Sequence, residues 1–112
     1  MEKNVRFAPK TRDYLENLVT VLFQKEYFSW LDTSEKYVRT LIDDILTNLP
    51  NRLHKRAPEH YAKYGEDLHY VSFIKNKHTS WYVFFTKYQD ENHQIIYLIR
   101  YIGNNHTEAQ YL

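Results

Sequence analysis

Apolar residues follow a helical period up to residue 49 and a period of two from residue 68 onward, which restricts the chain to folds in which helices precede a sheet. Leu15, Leu18, Val19 and Leu22 stand at i, i+3, i+4 and i+7. Val38, Leu41, Ile42, Ile45, Leu46 and Leu49 extend the same spacing, so each set lines one face of an amphipathic helix. The second helix has a start signal in Asp32 and Glu35: the first accepts from free backbone N–H groups and the second reaches back. Pro50 stops it, because the residue before a proline is pushed out of the α region.

Residues 68–75, 79–88 and 94–102 are rich in Val, Ile, Tyr, Phe and Trp, the types that fit a pleated surface. Their connections, 76–78 and 89–93, are short enough for hairpins, so an antiparallel meander is expected. Residues 5–8 read as a short strand ended by Pro9, and residues 27–31 as an aromatic-filled connection that includes Trp30. Residues 51–65, with Pro58 inside and Gly65 at the end, read as a loop holding at most a helical turn. In the meander Trp81, Val83 and Phe85 face one way and Tyr82, Phe84 and Thr86 the other, while Ile95, Tyr97, Ile99 and Tyr101 oppose Ile96, Leu98, Arg100 and Ile102. Both faces are apolar, and a helix pair covers one. The other is expected to be lined by tyrosines and partly open as a contact surface, unless a tail folds over it.

Composition narrows the function classes. With 112 residues, two glycines, three prolines and no repeat or linker, the chain reads as a single domain, 1–112. Aromatics make up 17% of it, including 11 Tyr, enough to bury a core although mean hydropathy is −0.70. An AT-rich codon bias is a competing source of that excess. The absence of cysteine removes disulfides, thiolate zinc sites and cysteine nucleophiles. No stretch has the length and apolarity of a signal peptide or a membrane span, so a cytoplasmic location and no membrane partner are expected. Net charge is only +1, yet all six histidines and the basic excess fall after residue 50, so an anionic partner is met there by a local patch. The spacings of His54, His60 and His69 fit no recurring metal motif, and neither metal nor cofactor is expected. The basic run 52–56 reads either as a solvated loop or as a nucleic-acid contact.

The order β-α-α-β-β-β at this length, an α+β fold with two helices packed on one face of an antiparallel sheet, resembles the RelE/ParE toxin superfamily of bacterial toxin–antitoxin modules. The aromatic run from His78 to Phe85 stands where that family has its third strand. The run from Ile99 to His106 looks like its last strand and the polar turn after it, and Tyr111 follows Gly103 by the eight residues seen in the family.

The resemblance implies a toxin that stops translation by metal-independent cleavage of mRNA on the ribosome and is neutralised by a cognate antitoxin. Such cleavage activates the ribose 2′-OH against its own phosphate and needs a base, a cation and an acid. Tyr111 matches the family's catalytic tyrosine by spacing, and His106 in the same turn suits proton transfer near neutral pH. Lys75 and Lys77 fall where the family places phosphate-binding cations, and Arg100 is the further candidate for that role. Tyr82 stands where the RNases of the family carry an arginine, and Asn104-Asn105 replace the arginine expected after Gly103, so two cations of the pattern are missing. Two alternatives follow: a ParE-type protein that binds DNA gyrase without chemistry, and a non-enzymatic domain that captures a peptide on its aromatic sheet face. Structural readings compete at each residue: His106 as a cap, Tyr111 as a loose chain end, and Arg100 as an ion-pair partner of a helix.

Overall fold

The amphipathic stretches do form helices. The structure, a computed structural model, describes residues 4–24 and 31–112. Helix α1 spans Pro9–Gln24 and α2 spans Leu31–Asn48, followed by a 3₁₀ turn at Leu49–Asn51 that has Pro50 inside it. Leu15, Leu18 and Leu22 from α1 and Val38, Leu41, Ile45 and Leu49 from α2 and the turn are all buried. Ser34, fully buried, donates its hydroxyl to the Val19 carbonyl and ties the two helices together. The expected aromatic connection with Trp30 and the Asp32 side-chain cap lie outside the described residues.

The strands are β1 (Val5–Phe7), β2 (Lys55–Arg56), β3 (His69–Asn76), β4 (Thr79–Gln89) and β5 (Ile95–Asn104), in the spatial order β1-β5-β4-β3-β2. The meander β3-β4-β5 is antiparallel as expected. The sheet as a whole is not: β1 runs parallel to β5, because the helices intervene between β1 and the meander and a crossover of that length permits a parallel pair. Strand β2, exposed and too short to carry an alternation, had no sequence signal.

The helix side of the sheet presents Val71, Phe73, Trp81, Val83, Phe85, Ile99 and Ile102 to the helices. Ile102 corrects the expected alternation. Phe84 pairs with Tyr101 while Phe85 pairs with Ile99, which leaves Arg100 as the extra residue of a β-bulge. Past the bulge the faces exchange, so Ile102 joins the helix-side core and Tyr101 moves to the opposite face. The Ile99 carbonyl at this point accepts from Ala8 N–H (2.9 Å) and from the buried Thr11 hydroxyl (3.1 Å), fixing the start of α1 to the sheet.

The face expected to stay partly open is closed over its centre. Residues 51–65, expected to be a loop holding at most a helical turn, contain a six-residue 3₁₀ helix, Glu59–Tyr64, which lays Tyr61 over Phe84 with ring centroids 4.3 Å apart and planes 27° from parallel. Tyr61 is 1% exposed and Phe84 0%, and with Leu68 they form a second core edged by Tyr64, Tyr70, Tyr82 and Tyr101. Burying aromatic rings of this size contributes on the order of 1.5–3 kcal/mol each, which offsets part of the cost of ordering the segment. Gly65 ends that helix at φ +155°, a conformation that L side chains rarely adopt. No helix among the described residues is long and apolar enough to cross a membrane.

Candidate functional site

The chain after β5 is short but tightly held. Asn104 caps helix α3 (Asn105–Glu108), its side-chain oxygen accepting from the His106 and Thr107 N–H groups at 3.0 and 3.3 Å. Asn105 reaches sideways: its Oδ1 accepts from Ser80 N–H and its Nδ2 donates to the His78 carbonyl, joining α3 to the β3–β4 turn. A 3₁₀ turn, Ala109–Tyr111, completes the segment.

Glu108 is the anchor. Its carboxylate is 3% exposed and accepts from the Tyr61 hydroxyl at 2.9 Å and the Tyr101 hydroxyl at 2.7 Å, one on each oxygen. Burial, and then hydrogen bonding and proximity to Glu108, push both phenols well above their ordinary value of 10.0, so both remain donors. Tyr14 on α1 is shifted the same way, mostly by burial and further by Glu108. The carboxylate packs on Gly103, where an added Cβ would stand 2.6 Å from Glu108 Cγ and Oε2. Only glycine lets the side chain lie so close.

This anchor delivers Tyr111 to a defined place. Its ring stacks on His60 with centroids 3.6 Å apart and planes 8° from parallel, and meets the edge of Tyr61 at 6.3 Å. Both members are exposed, so the pair is an aromatic platform on the surface. His106 is exposed on α3, and its backbone, not its ring, takes part in the cap. Arg100 is exposed on the same sheet face as Tyr101, its Nε donating to Thr86 Oγ1 at 3.3 Å.

The remaining candidates lie elsewhere. The Lys75 ammonium sits 5.5 Å from the ring centroid of Tyr37 on α2, on the helix side of the sheet. Lys77 is exposed in the β3–β4 turn, next to the His78 carbonyl that Asn105 holds. Thus Tyr111 meets the second core at Tyr61, the segment that carries His106 is tied to it through Glu108, Arg100 precedes Tyr101 on the same sheet face, and Lys75 stands on the helix side. Among the described residues no group of three or more His, Asp or Glu side chains is placed to hold a metal. No family model, curated protein or solved structure is matched by this chain.

Sequence reasoning missed His60, Tyr61 and Glu108. His60 carries a sequence signal only as a metal-ligand candidate, and Glu108 is joined to Tyr61 across 47 residues, an interval no local pattern encodes. One signal was present: two glycines in the whole sequence, one of them at the end of a β-rich run, mark Gly103 as a place of close approach.

Proposed function

We propose that this protein is the toxin component of a toxin–antitoxin module with a RelE/ParE-like arrangement, acting by metal-independent cleavage of mRNA on the ribosome. The observation that carries the reading is the exposed Tyr111–His60 stack, held in place by the buried Glu108 anchor. A flat exposed pair of this kind is what an unstacked RNA base packs on, and base–aromatic stacking contributes roughly 1–3 kcal/mol per base. In this reading Tyr111 and His106 transfer protons at the 2′-OH and the leaving 5′-oxygen, and Arg100 holds the phosphate. Lys77 adds positive charge from the β3–β4 turn, whereas Lys75 acts from the helix side or not at all. The cognate antitoxin is the partner that neutralises the protein.

The test is to incubate translating ribosomes with the protein and map mRNA 5′ ends. Codon-positioned cuts are expected, falling at least about 100-fold in rate for Tyr111→Phe combined with His106→Ala, since general acid–base groups contribute about 10²–10⁴. Absence of cuts removes the RNase reading, and inhibition of gyrase supercoiling in its place supports the ParE-type alternative. Cuts that survive the double substitution remove the residue assignment. The peptide-binding alternative has less support, because the centre of the aromatic sheet face is covered by the 59–64 helix.

A further inference from the structure

A cleft of about 760 Å³ opens between the start of α1, the end of the 59–64 helix and β5. Its volume is within the roughly 300–1,000 Å³ common for small-ligand sites. Lys10, Lys63 and Arg100 line it together with Tyr14, Tyr64 and Tyr101, and no carboxylate among the described residues does. None of the three cations forms an ion pair with a described residue. Elsewhere some cations stand beside carboxylates. Arg52 and Arg56 pair with Asp44 and Asp67, and in the groove between α1 and α2 the residues Arg12 and Arg39 alternate with Glu16 and Glu35.

Positive charge and flat aromatic surface occur side by side in the cleft. The Tyr64 and Tyr101 rings stack with centroids 4.2 Å apart and planes 9° from parallel. The Lys63 ammonium stands 5.4 Å from the Tyr64 ring centroid. Arg100 is held through Nε by Thr86, which leaves its two terminal nitrogens without a partner among the described residues and suited to two oxygens of one phosphate. The nearest buried acid, Glu108, has both oxygens occupied by Tyr61 and Tyr101.

We propose that this cleft binds a phosphomonoester joined to a flat ring, a nucleoside monophosphate, either free or as the 5′ end of a single-stranded chain. A monoester carries about −1.5 to −2 at pH 7, a better match than the single charge of an internal diester for three cations that form no ion pair among the described residues. The inference shares Arg100 with the cleavage reading but does not rest on it, since binding requires neither ribosome nor cut.

The test is calorimetric titration of the full chain with adenosine monophosphate, adenosine, inorganic phosphate and two tetranucleotides that differ only in a 5′-phosphate. The monophosphate is expected to bind at least about tenfold tighter than adenosine or phosphate. Arg100→Gln, Lys63→Gln and Lys10→Gln, all at exposed side chains, each weaken it about tenfold, while Tyr64→Leu weakens the nucleotide and leaves phosphate unchanged. A 5′-phosphorylated chain that binds more tightly than the mononucleotide identifies the source as a chain end, and the reverse identifies it as the free nucleotide. Equal affinity for inorganic phosphate and the nucleotide, no binding at millimolar concentration, indifference to all three cation substitutions, or a 5′-hydroxyl chain that binds as tightly as the monophosphate overturns the proposal. Cleavage by the same preparations is measured separately, so either idea can fail while the other stands.

Discussion

Replacing Glu108 by glutamine isolates the interaction that holds the chain end. The carboxylate offers an acceptor to Tyr61 at 2.9 Å and another to Tyr101 at 2.7 Å, whereas an amide offers only one oxygen. One phenol must therefore turn and accept from the amide NH₂; Tyr101 would lose the acceptor for its O–H, whereas Tyr61 would keep only the long bond to the Glu108 carbonyl at 3.5 Å. Losing a charge-assisted bond costs about 1.5–3 kcal/mol and an unsatisfied buried donor about 1–3 kcal/mol. Neutralising a buried carboxylate recovers part of its desolvation cost, so the net loss is about 1–3 kcal/mol. At roughly 4 °C per kcal/mol for a domain of this size, Tm falls by about 4–12 °C. Thermal and urea unfolding followed by circular dichroism give the value, and a cycle with Tyr101→Phe gives a coupling above about 0.5 kcal/mol if the contact is as described. A variant within about 0.5 kcal/mol of the parent, with no coupling, would refute the anchor. Amide exchange over residues 105–111 should rise in the variant, because the segment has lost its buried tie.

Tyr61 and Tyr101 also predict a pH response. Their folded pKa values are raised above the ordinary 10.0, so stability is flat below about pH 9.5 and falls as pH climbs past 10, where the unfolded chain releases protons that the folded chain keeps. The loss approaches about 1.4 kcal/mol per pH unit per phenol, and a Tm unchanged between pH 9 and 11.5 contradicts it. Gly103→Ala puts a Cβ 2.6 Å from the Glu108 side chain and should cost about 1–3 kcal/mol, but much less in a Glu108→Ala background; equal costs in both backgrounds count against the close approach. Trp81→Phe removes a side chain that is 1% exposed and whose Nε1 donates to the Tyr37 hydroxyl at 2.8 Å; denaturant unfolding should show a loss of about 2–3 kcal/mol, and a loss under about 0.5 kcal/mol counts against it.

The helices and the meander were legible because each is written in a local period. Leu15, Leu18 and Leu22, and Val38, Leu41 and Ile45, meet the core as their spacing requires. On β4 the alternation of Trp81, Val83 and Phe85 against Tyr82 and Phe84 holds throughout. On β5 it fails at Arg100, since a bulge depends on how two strands register and leaves no mark in the alternating types. The candidate site was legible only in part. The family spacing from Gly103 pointed to Tyr111 and, in the same turn, to His106, but it carried nothing about His60, on which Tyr111 stacks, or about Tyr37, against which Lys75 stands on the helix side.

By itself, then, the sequence determined the two long helices, the meander and most of the side chains that each turns inward, Leu46, which is exposed, and the residues past the Arg100 bulge being the exceptions, since a periodic apolar face is written locally. Tertiary structure decided what covers the second sheet face and where the chain end rests. Tyr61 reaches Glu108 across 47 residues, and His60 reaches Tyr111 over a similar interval. A buried carboxylate is stable only where donors converge on it, and that convergence exists only once the sheet has brought the two segments together.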